Sequence, residues 1–244
     1  MYRKGEVHYQ AVPLPDRVQL DPDASVAAAE AFLAYMRKRH SVRQYSTRPV
    51  PEAVITACIA AAATAPSGAN HQPWHFAAIA DPAMKARIRA AAEEEERAFY
   101  AGGAGDEWLA ALEPIGTGVS KPHLTDAPWL IVIFAERWGL TEDGSRYKNY
   151  YVPESVGIAT GMLITAIHHA GLVCLEHTPN PMAFLNEMLG RPPQEKPVMI
   201  LPVGYPAEDA TVPQVAKRKK PFDRVASFFR PSDRHFAVSR GLDR

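Results

Sequence analysis

The chain lacks the features that mark several classes of protein. Only two of its 244 residues are cysteines, Cys58 and Cys174, and they have no CxxC spacing. They suit buried thiols in a reducing cytosol better than a disulfide framework. No uncharged apolar run reaches the roughly 20 residues that a membrane-spanning helix requires. The first ten residues contain no apolar segment of a signal peptide, so we expect a cytoplasmic protein.

Net charge is absent as well. The 27 Lys and Arg residues balance the 27 Asp and Glu residues, which leaves no general attraction to nucleic acid or to a membrane surface. The exception is the segment after Pro213, where nine Lys and Arg residues stand against three Asp residues. The hydrophobic content of 47% and the charged content of 22% are those of a globular protein with a substantial core.

One stretch, Glu154–Thr178 (ESVGIATGMLITAIHHAGLVCLEHT), is central to the predicted fold. No charged residue follows its first glutamate until His168, and its apolar residues lie on all sides of a helical wheel. This pattern predicts a buried helix over 155–167, followed by a buried strand at LVCL. Gly157 and Gly161 lie four apart on one face, where another backbone can approach. Because such a helix needs cover on every side, we expect a second subunit to cover part of it.

The remaining patterns alternate helices with short apolar strands. Helices are predicted over Ser25–Arg39 with Ser25 as the cap, Pro51–Thr64, Pro82–Tyr100 and Pro181–Leu189, and strands over Trp74–Ala80, Trp129–Ala135 and Val198–Val203. This order indicates an α+β or α/β fold whose sheet is covered on both faces. Residues 1–24 are predicted to form an extended arm, 25–230 a single domain and 231–244 a C-terminal tail.

Two short motifs are candidates for binding an anionic, planar ligand. RHSVR at 39–43 is either a solvated turn or a phosphate cradle, because Arg forks pair with oxyanions and a Ser hydroxyl donates as well. APSGA at 65–69 offers backbone N–H groups to a planar ligand, but Ser-Gly after Pro is also ordinary turn chemistry. No metal site is predicted, since Pro73 interrupts any helix that would align His71 with His75.

These motifs together resemble a known family. RHSVR, VPEAVI and TAPSGANHQPW resemble the FMN-dependent nitroreductase superfamily. Within it, the chain resembles the iodotyrosine deiodinase family over residues 39–223, through EEEE…Y, DAPWLIVIF, AGLV…TP, LGRP and LPVGYP…ATVP. The resemblance implies a nitroreductase-like fold with a central, mostly antiparallel sheet flanked by helices. It also implies an intertwined homodimer and FMN as the cofactor.

The resemblance implies contacts with FMN for eight residues. They are Arg39, His40, Ser41, Arg43, Pro66, Ser67, Thr178 and Arg218. Three of them, Arg39, Ser41 and Arg218, match phosphate ligands of the family. His40 stands where the family usually has a second arginine, so one charge at the phosphate depends on pH.

Two of the eight are implied to act on the flavin ring. Arg43 matches an arginine near the pyrimidine edge, where a positive charge stabilises the reduced flavin. Thr178 matches the catalytic hydroxyl that hydrogen-bonds flavin N5 and favours one-electron steps. The two preceding residues, Glu176 and His177, stand where animal members have small hydroxyl residues, and the sequence assigns them no role.

Glu96, Tyr100 and Lys121 match the substrate lid of the deiodinases. Glu96 and Tyr100 lie four apart and face the same way on a helix. The three side chains supply an acceptor for an ammonium group and two donors for a carboxylate, which is what an amino acid zwitterion requires. By themselves, four consecutive glutamates are typical of a solvated helix face. The backbone N–H of Ala69 matches the group that faces the substrate phenolate.

The resemblance implies reductive dehalogenation of a halogenated tyrosine stacked on FMN, with NAD(P)H or a reductase as the electron source. One alternative is a broad NAD(P)H-dependent nitroreductase or quinone reductase on the same scaffold. A second is a non-catalytic flavin-binding protein. The lid separates the first two functions, because an amino acid clamp does not serve a nitroarene reductase. Turnover of any substrate separates both from the third.

Overall fold

The structure, a computed structural model, describes residues 8–230. The predicted tail and the first seven residues of the predicted arm lie outside this range. The helices are α1 (Pro22–Met36), α2 (Glu52–Ala63), α3 (Pro82–Ala98), α4 (Asp106–Leu112), α5 (His123–Asp126), α6 (Val152–His169) and α7 (Phe184–Met188). The strands are β1 (Trp74–Ile79), β2 (Trp129–Glu136), β3 (Trp138–Leu140), β4 (Arg146–Lys148), β5 (Val173–Cys174) and β6 (Glu195–Gly204).

A four-stranded antiparallel sheet in the order β1-β2-β6-β5 forms the centre of the molecule. Successive side chains of a strand point to opposite faces. Ile131 and Ile133 of β2 accordingly pack in one core cluster with Ile167 of α6, whereas Val132 packs in another with Ile88 of α3. The uninterrupted apolar sequence of β2 is what a sheet buried on both faces requires. The predicted antiparallel, helix-flanked fold is confirmed.

The RHSVR segment continues the sheet beyond β5. Ser41 forms a parallel bridge with Cys174, and the amide of Val42 donates to the Cys174 carbonyl at 3.1 Å. The Tyr45 hydroxyl donates to the Pro202 carbonyl at 3.0 Å. The motif is therefore an extended segment along one edge of the sheet, rather than a solvated turn, and β1 forms the opposite edge.

Helix α6 is buried on one face and open on the other. Ser155, Val156, Ala159, Leu163 and Ile167 are among its buried residues. Ile158 is 45% exposed, and beyond the helix itself no atom among residues 8–230 lies within 4 Å of a Cβ built at either helical glycine. The single chain therefore covers only part of the helix, as expected if a second subunit supplies the rest. Cover of this face by a second subunit stays a prediction.

The first helix begins and ends earlier than predicted. The side chain of Asp21 accepts a hydrogen bond from the amide of Ala24 at 2.8 Å, so Asp21 rather than Ser25 is the N-cap. Helix α1 thus starts at Pro22, inside the predicted arm, and ends at Met36. The other predicted helices and strands are confirmed to within three residues at each end.

Several elements have no counterpart in the sequence-based prediction. A π-helical turn at Phe99–Gly103, helices α4 and α5, and the separate β3–β4 hairpin fill the two segments that the patterns left without structure. These elements are short and carry mixed polar and apolar residues, so no period of helix or strand emerges from them. Over residues 8–230, every helix is too short or too polar to cross a bilayer.

Candidate active site

The arginine segment, Arg39–Arg43, holds an anionic side chain. The Ser41 hydroxyl donates to Oε2 of Glu176 at 2.6 Å, and Nη1 of Arg39 lies 3.7 Å from Oε1 of the same carboxylate. At that distance the two groups form an ion pair but no hydrogen bond. The buried Nη1 atom makes no hydrogen bond to any other group of residues 8–230 either. Arg39 and His40 line an open cavity of about 540 Å³ beside the C-terminal part of α6.

This arrangement fits an oxyanion such as a phosphate. A guanidinium and a hydroxyl that converge on a carboxylate have the charge and the donors to hold a phosphate oxygen in the same way. Nη1 of Arg39, which makes no hydrogen bond among residues 8–230, can donate to such an oxygen. The residues present therefore fit the phosphate of a flavin nucleotide, although Glu176 takes up this place in the chain itself.

Cys174, next to this segment, is not a nucleophile. Burial, together with the nearby Glu176 carboxylate, raises the pKa of the Cys174 thiol to about 12. The thiol is therefore un-ionised at neutral pH, and only a thiolate attacks. Cys58 is also free and buried, and burial raises its pKa. The prediction of two buried, unpaired thiols is confirmed.

The phenolate loop, 65–73, contains the predicted residues Pro66, Ser67 and Ala69. Ala69 has φ 51°, and two following residues, Asn70 and Gln72, have φ 55° and 50°. Such left-handed conformations are uncommon for residues other than glycine and gather at functional sites. The Ser67 hydroxyl accepts a hydrogen bond from the amide of Gln72 at 2.9 Å, which closes the loop. Pro66 and Ala69 are exposed.

The phenolate loop and the arginine segment lie far apart within the chain. The amide of Gly68 donates to the Ser155 hydroxyl at 3.3 Å, near the start of α6, whereas the cavity that contains Arg39 is lined by Ile167, near its end. Those two residues of α6 are separated by about 18 Å along the helix axis. The loop also leads into β1, while Ser41 pairs with β5 at the other edge of the sheet. The single chain does not bring these two groups together.

The lid residues do meet. Nζ of Lys121 lies 3.0 Å from Oε2 of Glu96, and their side chains are only 4% and 13% exposed. Nζ also donates to the Thr117 hydroxyl at 3.2 Å, and the Lys121 amide donates to Glu93 at 2.7 Å. The ring of Tyr100 lies 5.8 Å from Nζ, and its hydroxyl is buried without a hydrogen-bond partner among the described residues. Sequence spacing alone could not bring Lys121 to α3.

A pair of buried histidines lies beside the lid. The rings of His123 and His177 are 5.3 Å apart, and each Nε2 lacks a partner among residues 8–230. Burial, aided by Lys121 and Arg43, lowers the pKa of His123 to about 4. Burial, then His123, Lys121 and Arg43, lower the pKa of His177 to about 3. Both rings are therefore neutral at neutral pH. Sequence reasoning missed His123, whose only signal was its place two residues after Lys121.

Arg43 connects the arginine segment to the lid. It lines a cavity of about 300 Å³ together with Thr117, which binds Lys121, and with His123. Its charge also contributes to lowering the pKa of both buried histidines. The cofactor residue predicted for the pyrimidine edge and the predicted substrate lid therefore face one region of the molecule.

Two further predicted residues lie at the periphery. Thr178 is exposed and directly follows the buried His177. Arg218 is exposed after the turn Gln214–Lys217 and does not line the cavity of Arg39 and His40. Its predicted phosphate contact stays a prediction. Among residues 8–230, no three His, Cys, Asp or Glu side chains gather as they would around a metal ion.

Comparison with known proteins gives consistent matches. The profile of the Nitroreductase family matches residues 36–205. Iodotyrosine deiodinase of Haliscomenobacter hydrossis is 48% identical over 202 residues, which cover 83% of this chain and 91% of that protein. Iodotyrosine deiodinase 1 of Homo sapiens is 42% identical over 201 residues, 82% of this chain and 69% of that protein.

A solved structure matches as well. The crystal structure of oxidized iodotyrosine deiodinase bound to FMN and 3-iodo-L-tyrosine superposes with a TM-score of 0.67 and 29% identity, over 80% of this chain and 99% of that one. The chain therefore belongs to the nitroreductase family and, within it, to the iodotyrosine deiodinases, and it is an FMN-dependent oxidoreductase.

Proposed function

We propose that this protein reductively dehalogenates halogenated tyrosines. The observation that carries the proposal is the buried ion pair of Glu96 and Lys121 with the Tyr100 hydroxyl beside it. Relatives named iodotyrosine deiodinase and a solved deiodinase that binds 3-iodo-L-tyrosine support the same substrate class.

The lid can receive a zwitterion by exchanging partners. Glu96 gives up the Lys121 ammonium for that of the substrate, and Lys121 gives up Glu96 for the substrate carboxylate. An unpaired buried charge would cost several kcal/mol, and this exchange leaves none. The Tyr100 hydroxyl, which lacks a partner among the described residues, donates to the same carboxylate and so recovers the roughly 1–3 kcal/mol cost of a buried unsatisfied group. A substrate without the amino acid group offers neither gain.

The other site residues hold and tune the cofactor. Arg39, Ser41, His40 and Arg218 hold the phosphate, and Pro66 and Ser67 contact the flavin. Bound FMN, once reduced by NAD(P)H or a reductase, supplies two electrons that, with one proton, replace the aryl–halogen bond by an aryl–hydrogen bond and release halide.

The remaining residues act at the ring. Arg43 would place a positive charge near the pyrimidine edge of a bound flavin and so stabilise its reduced form, and the Thr178 hydroxyl would donate to its N5. The Ala69 amide donates to the phenolate of the substrate and so orients its ring. Of these three residues, Arg43 lines the same cavity as Thr117, which binds Lys121 of the lid.

Two copies of the chain build each site. The arginine segment and the phenolate loop lie about 18 Å apart along α6, too far for one compact site in one chain. In a two-fold dimer whose α6 helices pack antiparallel through their open faces, the start of one helix lies beside the end of the other. The loop of one copy would then lie near the arginines of its partner. The exposed stripe of Gly157, Ile158 and Gly161 allows close approach of the two helices. Helix α1, which buries none of its residues, offers further apolar surface.

A ligand titration tests the lid. The flavin fluorescence of the full-chain holoprotein is followed with 3-iodotyrosine and with an iodophenol that lacks the amino acid group. Each charge-assisted hydrogen bond is worth roughly 1.5–3 kcal/mol. Glu96→Gln and Lys121→Met should therefore weaken iodotyrosine binding roughly ten- to a hundredfold, with iodophenol unaffected. Glu94→Gln is the matched control, because Glu94 lies on the same helix with 73% of its side chain exposed.

The same preparation separates the alternatives. Iodide release from iodotyrosine under reducing conditions is expected, and its absence would favour a non-catalytic flavin-binding protein. Equal losses for iodotyrosine and iodophenol in the lid variants would mean that the lid only shapes the pocket. That result, with efficient reduction of a nitroarene, would replace the proposal by a broad nitroreductase.

A further inference from the structure

Glu176 binds the same two side chains that are proposed to hold the FMN phosphate. Its carboxylate accepts a hydrogen bond from the Ser41 hydroxyl at 2.6 Å and lies 3.7 Å from Nη1 of Arg39. The Glu176 and Arg39 side chains are 30% and 28% exposed, so the contact is partly shielded from water. An anion of the protein itself therefore lies where the anion of the cofactor is expected.

The backbone holds Glu176 in this position. Ser41 is bridged to Cys174, two residues before Glu176, so the two extended segments run side by side. The next residue, His177, pairs its amide and carbonyl with Ile200 at 3.0 and 2.8 Å, and its ring packs against that of His123. Successive side chains of an extended chain point to opposite sides. Glu176 thus points to the arginine segment because His177 points to the buried pair.

We propose that Glu176 is an internal counter-ion of the phosphate site and lowers the affinity of the protein for FMN. The inference rests on the proposed role of Arg39 and Ser41. A bound phosphate and the Glu176 carboxylate are like charges that compete for one guanidinium and one hydroxyl. FMN therefore binds only when the carboxylate is displaced from both groups or stays nearby at an electrostatic cost. In the free protein, the same carboxylate keeps Arg39 paired.

The proposal predicts a discrimination between two flavins. Riboflavin has the same ring and ribityl chain as FMN but no phosphate, so Glu176 does not repel it. Removing the charge with Glu176→Gln should tighten FMN binding about tenfold and leave riboflavin binding unchanged. Glu176→Thr, which removes the whole carboxylate arm, should act in the same direction. It is the second variant in case the glutamine keeps the hydrogen bond from Ser41.

The experiment measures both flavins on the full-chain holoprotein. Serial dilution gives the dissociation constant of FMN from the recovery of its fluorescence. Displacement of FMN by riboflavin gives the ratio of the two constants, which should change about tenfold in both Glu176 variants. Glu208→Gln is the control, because Glu208 is exposed between Ala207 and Ala210, which line the cavity of Arg39. It removes the same charge from the same region without touching the arginine, and the ratio should not change.

Each outcome is decisive. Unchanged or weaker FMN binding in both Glu176 variants would mean that Glu176 organises the site, and would overturn the inference alone. Equal tightening of riboflavin would show that Glu176 acts on the ring or the ribityl chain, which also overturns it. A wild-type protein that binds neither flavin would overturn the proposed function first. Circular dichroism of each variant verifies that the fold is intact.

Discussion

Acidification should destabilise the protein through its buried histidine pair. Burial holds the pKa of His123 at about 4 and that of His177 at about 3 in the folded chain, whereas a histidine of an unfolded chain titrates near 6.5. At pH 5 the unfolded chain therefore binds almost one more proton per histidine than the folded chain. Stability falls as the pH falls below about 6.5, and the loss at pH 5 is about 2 kcal/mol per histidine.

The charges around the two histidines determine the direction of their pKa shifts and how strongly their protonation is coupled. Lys121 and Arg43 face both rings and oppose protonation, and Arg89 acts in the same direction on His123. The rings are 5.3 Å apart, so a charge on one disfavours a charge on the other. Removing one histidine relieves that repulsion, and we expect the losses of the two not to add fully.

Urea unfolding at pH 7.5 and pH 5.0 measures the effect, with protein and FMN concentrations held constant. In His123→Phe and in His177→Phe, the loss of unfolding free energy between the two pH values should shrink by about 2 kcal/mol. A packing change caused by the phenylalanine affects the unfolding free energy equally at both pH values, so it cancels when the losses between the two pH values are compared. His8→Phe, in the exposed N-terminal arm, should lose as much as the wild type. Equal losses in all four proteins would refute the reasoning.

Three other predictions concern the site and the assembly. Thr178→Ala should lower the rate of iodide release roughly a hundredfold, the usual loss when one hydrogen-bond donor to a transition state is removed. Nitroarene reduction, where present, should not fall. An unchanged rate of iodide release would remove Thr178 from the mechanism. A Cβ built at Gly161 meets no atom of the described chain beyond its own helix, so Gly161→Leu should still fold. It should be a monomer that loses FMN in light-scattering and absorbance measurements; an FMN-loaded dimer would contradict the proposed interface. Lys121→Met should cost about 3 kcal/mol of unfolding free energy by leaving the largely shielded Glu96 without its partner, and adding Glu96→Gln should recover part of that loss in urea unfolding. Additive losses would show that the pair is not coupled.

Much of the fold follows from local pattern. The apolar run WLIVIFA predicts a strand buried on both faces, and β2 packs in both core clusters. The N-terminal boundary was misplaced because two capping residues compete there, and Asp21 rather than Ser25 bonds the helix amide. The β3–β4 hairpin and helix α5 gave no periodic signal, so sequence reasoning left them out.

The candidate site also combines contacts that the sequence predicts with contacts that it does not. The spacing of Glu96 and Tyr100 predicts that they share a helix face, and the resemblance to the deiodinases selects Lys121. The resemblance left Glu176 without a role, because the residues it touches lie 135 and 137 positions earlier in the chain. Likewise, no local pattern relates His123 to His177. The two rings meet because helix α5, which begins at His123, packs against the segment that pairs with Ile200 at His177.

The sequence by itself determined most of the helices and the strands of the central sheet, the family, and which residue types are available for the chemistry. These depend on local propensity, on the periodicity of apolar residues and on short motifs. Only the tertiary structure decided which of those residues meet. It closed Lys121 onto Glu96, directed Glu176 at the arginine segment, and separated that segment from the phenolate loop along the length of α6. Such contacts arise from the packing of distant segments around one sheet, and the chemistry of a residue does not reveal which partner the fold will bring to it.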